Sequence, residues 1–304
     1  MGRGNLGKSC SGYMVKGISG MEMHRTARLY QAKRRPLVAL DEGRVLAAED
    51  EREELAELGL DTVRQAMDYT GGVLVREAGT RTTHRVEGPR SVFFLKRHRG
   101  LSMMQRFWPI RTSNSSPARL EWDNHLIMRR SGFDVPDPVA MGETPANFSI
   151  PAESFLITRE VPGPSLDKVL ADGLPGHTGP RDQKLVQSVI RDLSGLVRRL
   201  HSGGFYHKDL YLQHLIVKDD PRWGRPYMVD LQRVEQKFPP HRRWLIKDIA
   251  ALHYSAPANF SKADRLRFLL QYLGKTRVDP LTRKWISDVQ ARVIRMKGHT
   301  PAYP

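Results

Sequence analysis

Cysteine is nearly absent: Cys10 stands alone in 304 residues. One thiol excludes an internal disulfide framework and points to a reducing compartment. Long apolar runs are missing too. No stretch approaches the ~18 residues that read as a membrane-spanning helix. The N-terminus lacks the apolar core of a secretory signal, so the expected location is cytoplasmic. Acidic residues are few, 33 against 49 Lys and Arg, for a formal net charge of +16. Such an excess favours an anionic partner: a nucleotide, a nucleic acid, or an acidic membrane or glycolipid surface. No zinc-finger or RNA-recognition signature accompanies the charge, so no nucleic-acid partner is expected.

What is present is enough chain for one two-lobed domain or two small ones. Residues 1–40 are basic and weakly periodic, and are expected to be disordered or loosely attached. Met21 and Met23 are alternative starts. Glu49–Met67 carries a helical apolar pattern. Strand-like runs follow at Gly72–Glu77, Thr82–Val86 and Ser91–Lys96, and Arg119–Arg130 reads as a helix. Ser154–Glu160 reads as a buried strand. Beyond it, Asp182–His201, Arg243–Ser255, Lys262–Leu273 and Leu281–Met296 are helical. The order is strands plus one helix, a linker, then mostly helices. It predicts an N-lobe at about 68–160 and a C-lobe at about 165–304 within a domain spanning 41–304.

Gly2–Ser9, GRGNLGKS, formally matches the pattern G-x-x-x-x-G-K-[ST]. That motif cradles phosphate only between a strand and a helix. Met1 alone precedes it, and SGYMVKGISG is a poor helix, so it reads as a Gly/Lys-rich tail.

A stronger signal lies at Leu200–Val217, LHSGGFYHKDLYLQHLIV, followed by YMVDLQ at Tyr227–Gln232. His207-Lys208-Asp209-Leu210 matches the kinase catalytic-loop signature H-R-D-L with Lys for Arg. Phosphoryl transfer needs one carboxylate at the acceptor hydroxyl and another on the Mg²⁺ that bridges the nucleotide phosphates. Asp209 and Asp230 are the candidates. Turn residues in KDDPRWGRP predict a hairpin that returns Asp230 to Asp209. His214 stands five residues after Asp209, where the protein-kinase pattern places a metal-binding Asn. Its imidazole is a candidate for metal or phosphate. Lys96 ends the strand-like SVFFLK and is the candidate phosphate anchor, with Glu121 of the next helix holding it. The Gly-rich loop is degenerate, with glycines at 71, 72 and 79. Arg81, Thr82 and Thr83 are alternative phosphate contacts. Asp230 is followed by Leu-Gln rather than Phe-Gly, and no activation loop or A-P-E segment separates it from Asp248. The usual platform for a peptide acceptor is therefore missing. FPPHRRW in its place is basic and aromatic, which suits either an anionic glycan or lipid surface or an ordinary solvated loop.

GTRTTHRVEG…VFFLKRHRG, RLEWDNHLIMRRSGFDVPDPVAMGE, HSGGFYHKDLYLQHLIV, MVDLQRV and RRWLIKDIAALHYSA together resemble the bacterial lipopolysaccharide core kinases, the heptose- and Kdo-kinase group. The resemblance runs from about Gly71 to Ser255. It implies an α+β, protein-kinase-like two-lobed fold: an antiparallel N-lobe sheet with one main helix, and a compact, mostly helical C-lobe. It implies Asp209 as the catalytic residue, Lys96 and Glu121 at ATP, Asp230 at the metal and Asp248 as a brace for the catalytic loop. The implied partners are ATP, Mg²⁺ and an anionic glycolipid or sugar acceptor, met at the inner face of the cytoplasmic membrane by peripheral contact. Two other readings stand beside this one: a kinase for a protein or small metabolite, and a nucleotide-binding pseudokinase.

Overall fold

In the computed structural model, residues 35–100, 116–144, 153–172, 183–218, 225–258 and 260–298 are described. The GRGNLGKS motif, Met21 and Met23 lie outside them.

Seven strands form one antiparallel sheet: β1 (Leu37–Leu40), β2 (Val45–Ala48), β3 (Val73–Ala78), β4 (Arg81–Glu87), β5 (Val92–Arg99), β6 (Pro138–Glu143) and β7 (Glu153–Arg159). Their order across the sheet is β1-β2-β6-β7-β5-β4-β3. β1 and β2 precede the span expected for the N-lobe and widen its sheet by two strands. β6 is buried on both faces, so the alternation that marks a half-exposed strand is missing from its sequence.

Each face of the sheet has its own partner. Phe93 and Leu95 of β5 point to the face covered by α1 (Arg52–Glu57) and α2 (Val63–Asp68), packing with Leu55, Leu60 and Met67. The helical pattern at Glu49–Met67 thus resolves into two short helices. Gly59 takes a left-handed φ of 64° after the first, and the Thr62 side chain caps the second by accepting from the Gln65 N–H. The opposite face packs Met141 and Leu156 against Ala118 and Trp122 of α3 (Pro117–Arg130).

The remaining chain is chiefly helical: α4 (Leu166–Asp172), α5 (Gln183–Ser202), α6 (Arg242–Ser255), α7 (Lys262–Leu273) and α8 (Pro280–Lys297). α5 buries Val186, Val189, Ile190, Leu193, Leu196, Val197 and Leu200, the stripe of a helix against a core. α7 starts with a Ser261–Asp264 capping box and ends at left-handed Gly274. Short paired strands lie among these helices. β9 (Leu215–Ile216) pairs with β10 (Tyr227–Met228), the hairpin expected before Asp230, and β8 (Phe205–Tyr206) pairs with β11 (Glu235–Gln236). No helix among the described residues is long and apolar enough to cross a membrane.

Candidate active site

Strand parity places Lys96. Phe93 and Leu95 face α1 and α2, so Lys96 points to the other face, toward α3. Helix α3 is started by Ser116, whose hydroxyl accepts from the Arg119 N–H, with Pro117 in the first turn. That phase turns Ala118, Glu121, Trp122, His125 and Met128 inward. Glu121 is therefore buried, 1% exposed, and accepts from Lys96 Nζ at 2.5 Å. Lys96 Nζ also lies 3.9 Å from Asp230 Oδ1. Burial pushes the Lys96 pKa down, but Glu121 and Asp230 more than reverse this and hold it above the ordinary lysine value.

The catalytic-loop candidate is braced from below. Asp248 of α6 is fully buried and accepts from the backbone N–H of His207 at 2.8 Å and of Lys208 at 2.7 Å. Lys208 has a left-handed φ of 66°, a strained conformation for a side chain with a Cβ. Two charge-assisted bonds from Asp248 to this peptide segment hold it there. His201 Nε2 lies 3.3 Å from Asp248, and Tyr272 Oη is 2.9 Å from His201 Nδ1. Replacing Asp248 by Ala removes the acceptor of one buried N–H group, that of His207, and one part-buried N–H group, that of Lys208. The expected loss is roughly 2–6 kcal/mol, at ~1–3 for each. An unchanged urea midpoint for Asp248→Ala would refute this account of the brace.

His207 is buried and its Nε2–H donates to the Val229 carbonyl at 3.1 Å, tying the loop to the strand end before Asp230. Burial keeps its pKa below the usual histidine value. His214 Nδ1–H donates to the Asp209 carbonyl at 2.8 Å, which leaves Nε2 on the side of Asp230, 3.8 Å from Oδ2. Burial raises the Asp230 pKa, yet Lys96, then His214 and His207, bring it below the ordinary aspartate value. Lys96, Glu121, His214 and Asp230 thus form one connected group. Asp209 joins it through its backbone, while its carboxylate faces elsewhere, with Arg233 Nη1 at 3.1 and 3.0 Å and Lys247 Nζ at 3.4 Å.

Asp230 and His214 Nε2 offer a divalent cation one carboxylate and one imidazole nitrogen. The single carboxylate fits Mg²⁺, which keeps several waters and draws on substrate phosphates, whereas the imidazole is a less usual Mg²⁺ ligand than oxygen. Among the described residues no three His, Cys, Asp or Glu side chains converge as a metal cage.

The β3–β4 hairpin closes through Gly79 and Thr80, with Gly79 at φ 59°. Arg76 Nη1 lies 3.9 Å from Asp230, and Arg81 donates to the Gln232 side chain. Thr83 is opposite Lys96 in the register and shares its face. Thr82 is opposite Arg97 and accepts from it, on the other face. Of the alternative phosphate contacts, Arg81 and Thr83 are on the site's side and Thr82 is not.

Sequence reasoning missed Arg233, Lys247 and Asn124. Asn124 Nδ2 donates to the carbonyls of Leu231 at 2.8 Å and Val234 at 3.2 Å. A cleft of about 310 Å³ lies here, lined by residues including Asn124, Lys208, Arg233 and Trp244. The Trp244 ring has Arg243 at 4.2 Å and Lys208 at 4.6 Å from its centroid. Glu235 and Gln236 pair with β8, and the Lys237 N–H donates to Gly204. The connection from Asp230 to α6 is thus bound back beside the catalytic-loop candidate.

The lipopolysaccharide kinase (Kdo/WaaP) family matches residues 66–272, more than half of the chain. The chain belongs to that family. It is a kinase, an ATP-dependent phosphotransferase for a sugar hydroxyl of lipopolysaccharide core or a related envelope glycolipid. The lipopolysaccharide core heptose(I) kinase WaaP of Escherichia coli K12 is 29% identical over 262 residues, covering 82% of this chain and 97% of that protein. WaaP of Pseudomonas aeruginosa is 28% identical over 221 residues, covering 69% and 80%. Among solved structures, WaaP in complex with acyl carrier protein has a TM-score of 0.60 at 23% identity, covering 86% of this chain and 97% of that one. The α+β, two-lobed kinase-like architecture expected from the sequence is thus the architecture found.

Proposed function

We propose that this lipopolysaccharide kinase acts on a heptose-type core sugar, with Lys96, Glu121, Asp230, His214 and Asp209 as its transfer machinery. The observation that carries the assignment is the junction at His214. One imidazole donates to the Asp209 main-chain carbonyl while its other nitrogen lies 3.8 Å from the Asp230 carboxylate, so a single ring joins the acceptor-side loop to the metal-side aspartate. ATP enters as substrate. Asp230 and His214 would hold Mg²⁺, which would supply charge neutralisation to the triphosphate. Lys96 anchors phosphate oxygens with its ammonium, held in place by buried Glu121. Asp230 and His214 Nε2 present the metal-side donors. Asp209 accepts the hydrogen bond of the sugar hydroxyl and aims it at the γ-phosphorus. Positioning and electrostatics carry such a transfer. The acceptor approaches beside Arg233, Lys208, Arg243 and Trp244, a cationic and aromatic rim that suits an anionic glycolipid.

The test is transfer of label from γ-labelled ATP, with Mg²⁺, to lipopolysaccharide core glycolipid, run beside protein and aminoglycoside acceptors. Label entering the glycolipid alone supports the assignment. Label on another acceptor, or on none while ATP binds, moves the chain to one of the two other readings. The chain is proposed to work on the cytoplasmic side, meeting the membrane peripherally through its basic surface. Each cation near an anionic leaflet contributes ~1 kcal/mol, falling off within a Debye length. Retention on anionic vesicles should fade as salt rises, and equal retention on neutral vesicles would contradict it.

A further inference from the structure

Asp230 adopts a left-handed conformation, φ 58° and ψ 59°. A non-glycine residue stays there only when its surroundings over-determine it. The restraint on its N-terminal side is visible: Val229 donates its N–H to the His214 carbonyl at 2.9 Å, and its own carbonyl accepts from His207. The C-terminal side is a single 3₁₀ turn, Leu231–Arg233, followed by Glu235–Gln236 paired with β8. Leu231 and Val234 anchor this turn in the C-lobe core and Arg233 meets Asp209, and a further hold comes from the other lobe. Asn124 gives its amide to two carbonyls, those of Leu231 and Val234, which bracket the turn. Both partners are acceptors, which fixes the amide orientation with its NH₂ toward them. Arg81 of β4 adds a contact to Gln232.

Asn124 is three residues beyond Glu121 on the same helix, so the two side chains share a helical face. One rigid element therefore holds Lys96 through Glu121 and the Asp230 turn through Asn124. We propose that Asn124 is a positioning residue, a latch that makes the phosphate-side lysine and the metal-side aspartate a single preassembled unit. It acts through the main chain of 231–234 and touches no substrate. The ligand it prepares the site for is a magnesium–nucleoside triphosphate, and in this the inference rests on the site assignment proposed above. A segment this short after Asp230 has little length for reordering, so the latch sets the site in its working geometry before any ligand arrives.

Two variants separate a latch from packing. Asn124→Ala deletes the donor. Asn124→Asp keeps the shape but turns carboxylate oxygens toward two carbonyls. A latch requires Asp to be at least as damaging as Ala, whereas a packing role requires Asp to resemble wild type. Two readouts are taken on the full chain: hydrogen exchange of the 231–236 amides, and affinity for a fluorescent ATP analogue with and without Mg²⁺. Both variants should lose protection at 231–236 while α5 and α7 keep theirs. Affinity with Mg²⁺ should fall roughly tenfold, the order expected for one or two lost hydrogen bonds. Affinity without Mg²⁺ should change far less. Wild-type exchange and Mg²⁺ dependence in Asn124→Asp overturn the latch. If either variant unfolds, Gln232→Ala, which removes the Arg81 contact, should give the same local exchange signature at smaller size; wild-type protection there overturns the proposal. A wild-type chain that binds no nucleotide overturns the site assignment instead, and exchange at 231–236 still decides the latch by itself.

Discussion

Asp209→Asn is expected to slow phosphoryl transfer by roughly 10²–10⁴-fold, the range for losing a positioned general base, with little change in nucleotide binding. The geometry separates the two effects. The Asp209 carboxylate touches Arg233 and Lys247, and its backbone carbonyl, not its side chain, holds His214. Asn preserves the shape and the backbone contact, so the Lys96–Asp230 side of the site keeps its arrangement. The acceptor hydroxyl, however, meets an amide in place of a full carboxylate. Lys247 loses its counter-charge as well. Burial already holds the Lys247 pKa below the usual lysine value, with Asp209 opposing that shift. A modest stability loss should therefore accompany the kinetic one. Single-turnover transfer and a separate nucleotide titration measure the two parts. Transfer at the wild-type rate would remove Asp209 from the chemistry. Lost nucleotide binding would mean its carboxylate also shapes the phosphate side.

The parts of this site that were legible in the sequence are those set by short-range rules. The five-residue step from Asp209 to His214 lies within one loop. The hairpin that returns Asp230 is announced by its turn residues. Lys96 and Glu121 sit on a strand and the next helix, each with clear periodicity. Arg233 and Lys247 escaped because their role depends on how α6 and the 3₁₀ turn pack around Asp209. A signal existed for Lys247, which adjoins the flagged Asp248, and for Asn124, which lies one helical step from Glu121. Parity of Thr82 and Thr83 against Lys96 required the β4–β5 register, which sequence alone does not supply. β6 hid because burial of both faces erases alternation. β1 and β2 are four residues each, too short for a pattern to stand out.

Lys96→Met should reduce transfer by roughly 10²–10³-fold, as when one preorganised donor to developing charge is removed. It should also destabilise the fold, and the two losses can be pulled apart. The substitution leaves Glu121 buried with its counter-ion gone, an arrangement that costs about 3–5 kcal/mol when a buried pair is broken from one side. Glu121→Gln breaks the pair from the other side, but there the ammonium keeps Asp230 at 3.9 Å and is 18% exposed, so its loss in stability should be smaller. Replacing both residues, Lys96→Met with Glu121→Leu, removes both charges. Trp122 and the sheet around Leu156 offer an apolar setting, and stability should recover toward wild type. Transfer should not recover, because the proposed phosphate anchor is gone. Urea denaturation and transfer assays on the three variants test this ordering. A double variant as unstable as Lys96→Met would mean the loss comes from packing rather than from a stranded carboxylate. A double variant that transfers like wild type would mean that the Lys96–Glu121 pair serves the fold and that another cation, with Arg76 and Arg81 the nearest candidates, holds the phosphate.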